Sequence, residues 1–151
     1  MSTSQHAGRF RQMRPDEAAA RAWPLPADAS CAKRARCLVE ELFTAAGSPI
    51  ERVRDAKLMV SELATNAYQH ASGSVTHELW FDLEPGEAVI AIFDAVPMEG
   101  LPCDVTFSGD HGRGLLIVAE MSDGRWGLEP ASSRLDPVIP GKAVWFACPR
   151  L

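Results

Sequence analysis

The strand patterns of this chain come in consecutive pairs, and helical patterns lie before and between the pairs. Ser74 to Leu83 alternates between apolar and polar residues, and the apolar run Ala88 to Phe93 follows after a Pro-Gly turn signal. Gly124 to Glu129 and Lys142 to Cys148 form the second pair. Because consecutive strands joined by short turns pair antiparallel, this order favours an α+β fold over a doubly wound parallel sheet.

Three helices and an edge strand complete the pattern. The helices are predicted from Asp28 or Ser30, as the capping residue, to Ala46, over Ile50 to Ala71 and over Gly112 to Met121, and the edge strand over Arg21 to Leu25. We therefore expect a two-layer α/β sandwich, in which a mixed, mostly antiparallel sheet has the three helices on one face.

Length and charge restrict the classes of protein. The 151 residues suit one domain, predicted over residues 21–151 behind a flexible N-terminal arm at residues 1–20. The formal net charge of -5 gives no reason to expect a nucleic-acid partner. No apolar run reaches the roughly 18 residues of a membrane span, and no leader peptide is evident, so we expect a cytoplasmic protein without membrane contact.

The four cysteines follow no disulfide or metal-binding pattern. Cys31, Cys37, Cys103 and Cys148 form no CxxC pair and no zinc spacing. We expect reduced and mostly buried thiols.

The second helix places a polar row beside its apolar stripe. One narrow sector of that helix contains Ala56, Val60, Leu63 and Ala67. Glu62, Asn66 and His70 follow one another at intervals of four along the margin of this stripe. Burying the Asn66 amide without a partner would cost roughly 1–3 kcal/mol, so a hydrated cation or a phosphate is expected to meet it there. The alternative is an ordinary solvated flank of the helix.

A second polar element lies between the strand pairs. The turn Gly112-Arg113-Gly114 opens a helix, so its glycines and the free N–H groups of the first helical turn could hold a phosphate, with Arg113 as a clamp. A simple tight turn explains the same residues. Asp94 ends a strand and could accept a hydrogen bond from the amine of a base, or form an Asx-turn.

Together these motifs resemble the GHKL (Bergerat-fold) ATP-binding family. The resemblance rests on the run Val60 to Ala67, on Asp94 and on Gly112 to Leu115, and it covers about Ala20 to Pro149. It is greatest to the small single-domain branch, the anti-sigma-factor serine/threonine kinases, whose last strand resembles Gly141 to Phe146.

The resemblance implies roles for residues of this chain. Glu62 stands at the position of the general base, and Asn66 at that of the Mg²⁺ ligand. The remaining residues implied in ATP binding are Thr65, His70, Asp94 at the adenine, and Gly112, Arg113, Gly114 and Leu115 of the second glycine box. The loop between Asp94 and Gly112 would be the ATP lid.

Two positions depart from the family pattern. The first glycine box, D-x-G-x-G in the family, is here Asp94-Ala95-Val96-Pro97, which stiffens the turn beside the base. Ala143 stands where the family often has a threonine near the adenine, so that one hydrogen-bond donor to the base is absent.

The resemblance predicts an ATP- and Mg²⁺-dependent protein serine/threonine kinase that acts as an anti-sigma factor. It would phosphorylate a small anti-sigma-factor antagonist and bind a sigma factor, and a homodimer is expected because relatives of this branch often dimerise. A complete two-component histidine kinase is not expected, because the chain has no room for a phosphoacceptor domain. The alternatives are a partner-binding switch with weak or lost nucleotide binding, and a stand-alone ATPase.

Overall fold

The computed structural model of the protein describes residues 9–10, 13–70, 76–96 and 109–150, and the side chains of His70 and of residues 109–113 lie outside this description. Four helices and five strands are formed within these ranges. In chain order they are α1 (Pro15–Ala19), β1 (Ala22–Leu25), α2 (Cys31–Ala45), α3 (Ile50–His70), β2 (His77–Glu84), β3 (Glu87–Asp94), α4 (Gly109–Met121), β4 (Trp126–Ser132) and β5 (Pro140–Pro149).

The five strands form one sheet in the order β1-β2-β3-β5-β4. Every pairing among these described strands is antiparallel, so the predicted α+β sandwich is confirmed and the expected mixed character of the sheet is not found. Strands β2 and β3 form a hairpin whose two-residue turn ends at Gly86, with φ of 81°. A side chain is disfavoured at that backbone angle, which explains the glycine.

Helices α2, α3 and α4 cover one face of the sheet. The predicted apolar stripe of α3 lies in the core, where Ala56 and Val60 are completely buried. Phe43 of α2 packs against Phe81 of β2, with 5.6 Å between the ring centroids. Val118 of α4 belongs to the same core. The helix pattern therefore fixes which side of α3 the sheet covers.

Several predicted boundaries and one predicted cap differ from the structure; among the strands, β2 begins at His77, β4 at Trp126 and β5 at Pro140. Ser30 precedes α2, but neither Ser30 nor Asp28 caps it through a side chain, because the Asp28 carboxylate accepts hydrogen bonds from the N–H and hydroxyl groups of Ser30 instead, at 2.8 and 2.5 Å. Helix α4 begins at Gly109 rather than Gly112, since packing on α3 outweighs the low helix propensity of glycine. Strand β4 continues beyond Glu129 to Ser132.

The other face of the sheet is also covered. The stacked rings of Trp80 and Phe93, 5.5 Å apart, lie there with Trp145 and Ala143. Phe10 meets Trp80 edge-on at 5.2 Å. Within residues 1–20, where we expected a flexible arm, the described part thus packs on the sheet and forms α1.

Arg9 holds this N-terminal segment in place. Its backbone N–H donates to the Glu129 carboxylate at 2.7 and 2.8 Å, and its guanidinium donates to Glu84 at 2.8 Å and Glu87 at 3.2 Å. The guanidinium also lies 5.1 Å from the centre of the Trp145 ring. Carboxylates of three strands therefore bind one arginine.

The segment that follows β4 is tied to β2 by a buried polar network. The Arg134 guanidinium donates two hydrogen bonds to the Asp82 carboxylate, at 2.9 and 2.8 Å, and lies 4.4 Å from the centre of the Trp80 ring. The fully buried Glu78 carboxylate accepts from the Trp80 indole at 2.9 Å, the Arg134 backbone N–H at 3.1 Å and the Ser133 hydroxyl. Every charge in this network thus has a partner, as burial requires.

Both edge strands contain a proline. The short strand β1 includes Pro24 and lies at one edge, as predicted, while β4 includes Pro130 at the other. No helix in the described ranges combines the length and the apolar composition of a membrane span. Cys31 and Cys148 are buried and Cys37 is exposed, and all three are free thiols, whereas Cys103 lies outside the described residues.

Candidate functional site

The polar row of α3 faces α4 at a glycine. A Cβ atom placed on Gly114 would lie 2.7 Å from the Oε1 atom of Glu62 and 3.7 Å from the Nδ2 atom of Asn66. Glu62 and Asn66 are both half-buried, one turn apart on α3. The predicted meeting of this carboxylate and this amide with the glycine box is therefore found at Gly114.

The Glu62 carboxylate and the Asn66 amide of α3 are available to bind a ligand. Among the described residues, no hydrogen bond or ion pair engages the Glu62 carboxylate or the Asn66 amide. A half-buried carboxylate and a half-buried amide without protein partners can accept a proton or bind a cation without first breaking an existing contact. On the α4 side, the absence of a side chain at Gly114 leaves room for the Glu62 Oε1 atom.

The glycine box lies inside a helix rather than in a turn ahead of it. Because α4 begins at Gly109, its free N–H groups precede residue 112, the first that can donate within the helix, so neither Gly112 nor Gly114 is among them. The prediction that both glycines offer free amides is therefore wrong, and Gly114 instead allows the close approach to α3. The Arg113 side chain and the proposed lid, apart from Asp94, Ala95, Val96 and the start of α4, lie outside the described residues.

Three further residues that were predicted to bind ATP lie on α3 or α4. Thr65 is half-buried on α3, next in sequence to Asn66. Leu115 is partly buried and packs against the core between the helices and the sheet. His70 is the last residue of α3, and its side chain is not among those described.

Asp94 lies at the end of β3 and is 2% exposed. Its Oδ1 atom accepts a hydrogen bond from the Val96 N–H at 2.9 Å, which is the Asx-turn considered as an alternative. The same oxygen accepts from the Lys142 Nζ at 2.8 Å, and Lys142 also donates to the Val96 carbonyl at 3.2 Å. The carboxylate expected to recognise adenine is thus paired with a cation of the protein itself.

Sequence reasoning missed Lys142 and singled out its neighbour. Lys142 is the direct cross-strand partner of Asp94, whereas Ala143 belongs to the cluster on the opposite face of the sheet. Ala143 therefore cannot influence the base position. Strand alternation, applied to both β3 and β5, was the signal that could have identified Lys142.

Gly141 brings the start of β5 close to the end of β3. A Cβ atom there would clash with the Asp94 carbonyl oxygen and would lie 2.9 Å from the Ala95 Cα. This close approach has no room for a side chain, and it holds the backbone next to Lys142 against the Asp94 turn.

His77 completes this end of the sheet. It pairs with Asp94 on the other side from Lys142 and is 1% exposed. Its Nε2 atom lies 3.3 Å from the Ala67 carbonyl oxygen of α3, so that nitrogen bears the proton. Its Nδ1 atom is buried and has no hydrogen-bond partner among the described residues.

The residues present fit a metal-bound triphosphate at one end of the site. Beside Gly114 lie the Glu62 carboxylate and the Asn66 amide, and their oxygen atoms are of the kind that magnesium prefers as ligands. No three His, Cys, Asp or Glu side chains form a metal-binding cluster among the described residues. At the end of the site where adenine is expected, the Lys142 ammonium group donates a hydrogen bond to the Asp94 carboxylate.

Comparison with known proteins agrees with this geometry. The model of the histidine kinase-like ATPase domain family matches residues 25–125, which include Glu62, Asn66, Asp94 and Gly114. No curated protein gave a significant match. Since the matched segment extends over more than half of the chain and contains the α3–α4 site, the protein belongs to the histidine kinase-like ATPase domain family of GHKL type.

Proposed function

We propose that this chain is an ATP-dependent protein serine/threonine kinase that acts in the cytoplasm as an anti-sigma factor. The observation that supports it best is the meeting of Glu62 and Asn66 with Gly114 across the α3–α4 gap. Family membership supports ATP binding and kinase-like chemistry. The choice of a serine or threonine acceptor, and of the pathway, rests on the resemblance of the sequence motifs.

Each residue of the gap has a role in this proposal. Magnesium-bound ATP supplies the phosphoryl group and the charge neutralisation that phosphoryl transfer requires. The Asn66 amide oxygen would hold the cation, and the free N–H groups of residues 109–111 would face the phosphates. Glu62 would accept the proton of the attacking hydroxyl, since no protein cation among the described residues neutralises its carboxylate.

The partners follow from the same resemblance. The phosphate acceptor would be a small anti-sigma-factor antagonist protein, and a sigma factor would be the second partner, bound by the chain or by a homodimer of it. Transfer to the antagonist would switch the chain between these two partners.

The residues expected to recognise adenine favour a second candidate function, a partner-binding switch. The Asp94–Lys142 ion pair and the altered first glycine box would both weaken adenine recognition. The alternative is therefore a partner-binding switch that does without phosphoryl transfer.

Replacing the proposed base tests the enzymatic function. Glu62→Gln removes the proton acceptor but preserves the size of the side chain, so we expect magnesium-ATP affinity within about threefold of wild type and transfer at least about 100-fold slower. Transfer is measured with γ-labelled ATP and the purified antagonist. Glu51→Gln, on the exposed first turn of the same helix, is the matched control and should transfer at the wild-type rate.

Calorimetric titration of ATP with and without magnesium tests the proposed role of Asn66. We expect Asn66→Ala to lose the magnesium-dependent part of the ATP affinity.

The transfer assay can also contradict the proposal. Phosphate transfer by Glu62→Gln at the wild-type rate would exclude Glu62 as the base. Antagonist or sigma-factor binding without any transfer by the wild type would favour the switch instead.

A further inference from the structure

Lys142 occupies the position from which a nucleobase would be recognised. The Asp94 carboxylate is 2% exposed and its Oδ1 atom already accepts two hydrogen bonds, from the Val96 N–H and from the Lys142 Nζ. A carboxylate oxygen offers about two lone-pair sites, so this oxygen has no further capacity. An adenine amine would have to compete with the ammonium group or use the other oxygen.

The competition favours the lysine. Its contact with Asp94 is charge-assisted, whereas the amine of adenine is a neutral donor, and charge-assisted hydrogen bonds are roughly twice as strong. The Lys142 side chain is 11% exposed and also donates to the Val96 carbonyl. Displacing it would leave a buried ammonium without its anion, which proteins avoid.

The backbone keeps Lys142 in this position. Lys142 and Asp94 are direct partners in the β3–β5 register. The close approach at Gly141 fixes the two strand ends against each other. The lysine is therefore part of the framework of the site rather than a surface side chain that happens to lie near it.

We infer that Lys142 is an intramolecular competitor of the nucleobase for Asp94, so that a nucleotide is held mainly through its metal-bound phosphates and adenine is distinguished poorly from guanine. The inference rests on the proposed function, because it requires a nucleotide in the α3–α4 site.

The test compares ATP and GTP affinities, each with magnesium, by calorimetry. For the wild type we expect the two affinities to lie within about threefold of each other, and Asp94→Asn to change ATP affinity by less than about threefold. Lys142→Thr frees Asp94, so ATP affinity should rise about tenfold or more while GTP affinity stays nearly constant. Adding Asp94→Asn to Lys142→Thr should abolish the gain.

Two control variants test whether the change in affinity comes from the loss of the Lys142–Asp94 ion pair. Lys142→Arg keeps the ion pair and should behave like the wild type. Lys57→Thr breaks an ion pair of the same 2.8 Å length, with Glu40, between α2 and α3, and should leave both affinities unchanged. The ratio of ATP to GTP affinity is insensitive to a loss of folded protein, and circular dichroism checks that Lys142→Thr folds.

The outcomes separate this inference from the proposed function. Wild-type selection of ATP over GTP by more than about tenfold, abolished by Asp94→Asn, would overturn the competitor role but leave the kinase intact. Unchanged selectivity in a folded Lys142→Thr protein would overturn it too. Binding of neither nucleotide by any variant would contradict the proposed function itself.

Discussion

Gly114 determines how closely the side chains of α3 approach α4. The missing Cβ leaves the space in which the Glu62 Oε1 atom lies, 2.7 Å from where that Cβ would be. The atom in the way is the far end of a flexible side chain, so the structure could accept an alanine by moving Glu62. A side chain at this residue should therefore slow phosphoryl transfer without lowering the free energy of unfolding.

Gly114→Ala tests this expectation. Since alanine is the better helix former, we expect the free energy of unfolding to stay constant or to rise by up to about 1 kcal/mol. We expect phosphoryl transfer to fall at least about tenfold, because Glu62 is displaced. Denaturant unfolding and the transfer assay measure the two effects.

Leu116→Ala provides the comparison on the same helix. Leu116 is 43% exposed, so its truncation should leave transfer unchanged. A Gly114→Ala protein that transfers phosphate at the full rate would show that the placement of Glu62 does not depend on Gly114.

Helical spacing alone was enough to predict that Glu62 and Asn66 share one face. It could not reveal Lys142, because that residue reaches Asp94 only through the pairing of two strands 48 positions apart. The departure from the motif at Ala143 was visible in the sequence, and alternation along β5 places it on the opposite face of the sheet from Lys142.

At the scale of elements, the segment after β4 depends on one buried ion pair. Arg134 and Asp82 are 7% exposed each, and the guanidinium also lies against Trp80. Arg134→Met would leave the Asp82 carboxylate buried and unpaired, so we expect a loss of about 3–5 kcal/mol in the free energy of unfolding.

The matched double variant distinguishes the charge from the packing. Arg134→Met with Asp82→Leu removes both charges and should recover most of the lost stability, as measured by urea unfolding. If the single variant were as stable as the wild type, the ion pair would have no structural role.

Long, strongly periodic elements were predicted almost to the residue, and α3 is the best example. The start of α4 was misplaced because glycine weakens the helical signal, although tertiary packing extends the helix. The network of Glu78, Asp82 and Arg134 could not be predicted, since Arg134 is more than 50 positions from both carboxylates and all three look like ordinary surface residues in the sequence.

At the scale of the whole molecule, two buried thiols couple folding to alkaline pH. Burial raises the pKa of the Cys148 thiol from 9.0 to about 12, and burial, aided by Asp28, raises that of Cys31 to about 11. Above pH 9 the unfolded chain therefore loses thiol protons that the folded chain retains. The stability that these groups contribute is complete below pH 9 and decreases as the pH rises through the folded-state pKa values.

The Cys148→Ala variant isolates this effect from lysine and tyrosine titration. Between pH 8 and pH 10 the wild type should lose about 1 kcal/mol more of its free energy of unfolding than Cys148→Ala. Urea unfolding at several pH values measures the difference. Parallel pH profiles of the two proteins would contradict a buried neutral thiol.

The prolines of β1 and β4 affect how the molecule meets other chains. Pro24 and Pro130 lack the N–H group that a newly added strand would need, and they stand at the two outer borders of the sheet. The addition of a strand from another chain is therefore disfavoured at both edges of the sheet. A protein built in this way can remain dispersed at high concentration, and we expect its complexes to form through side chains rather than by strand addition.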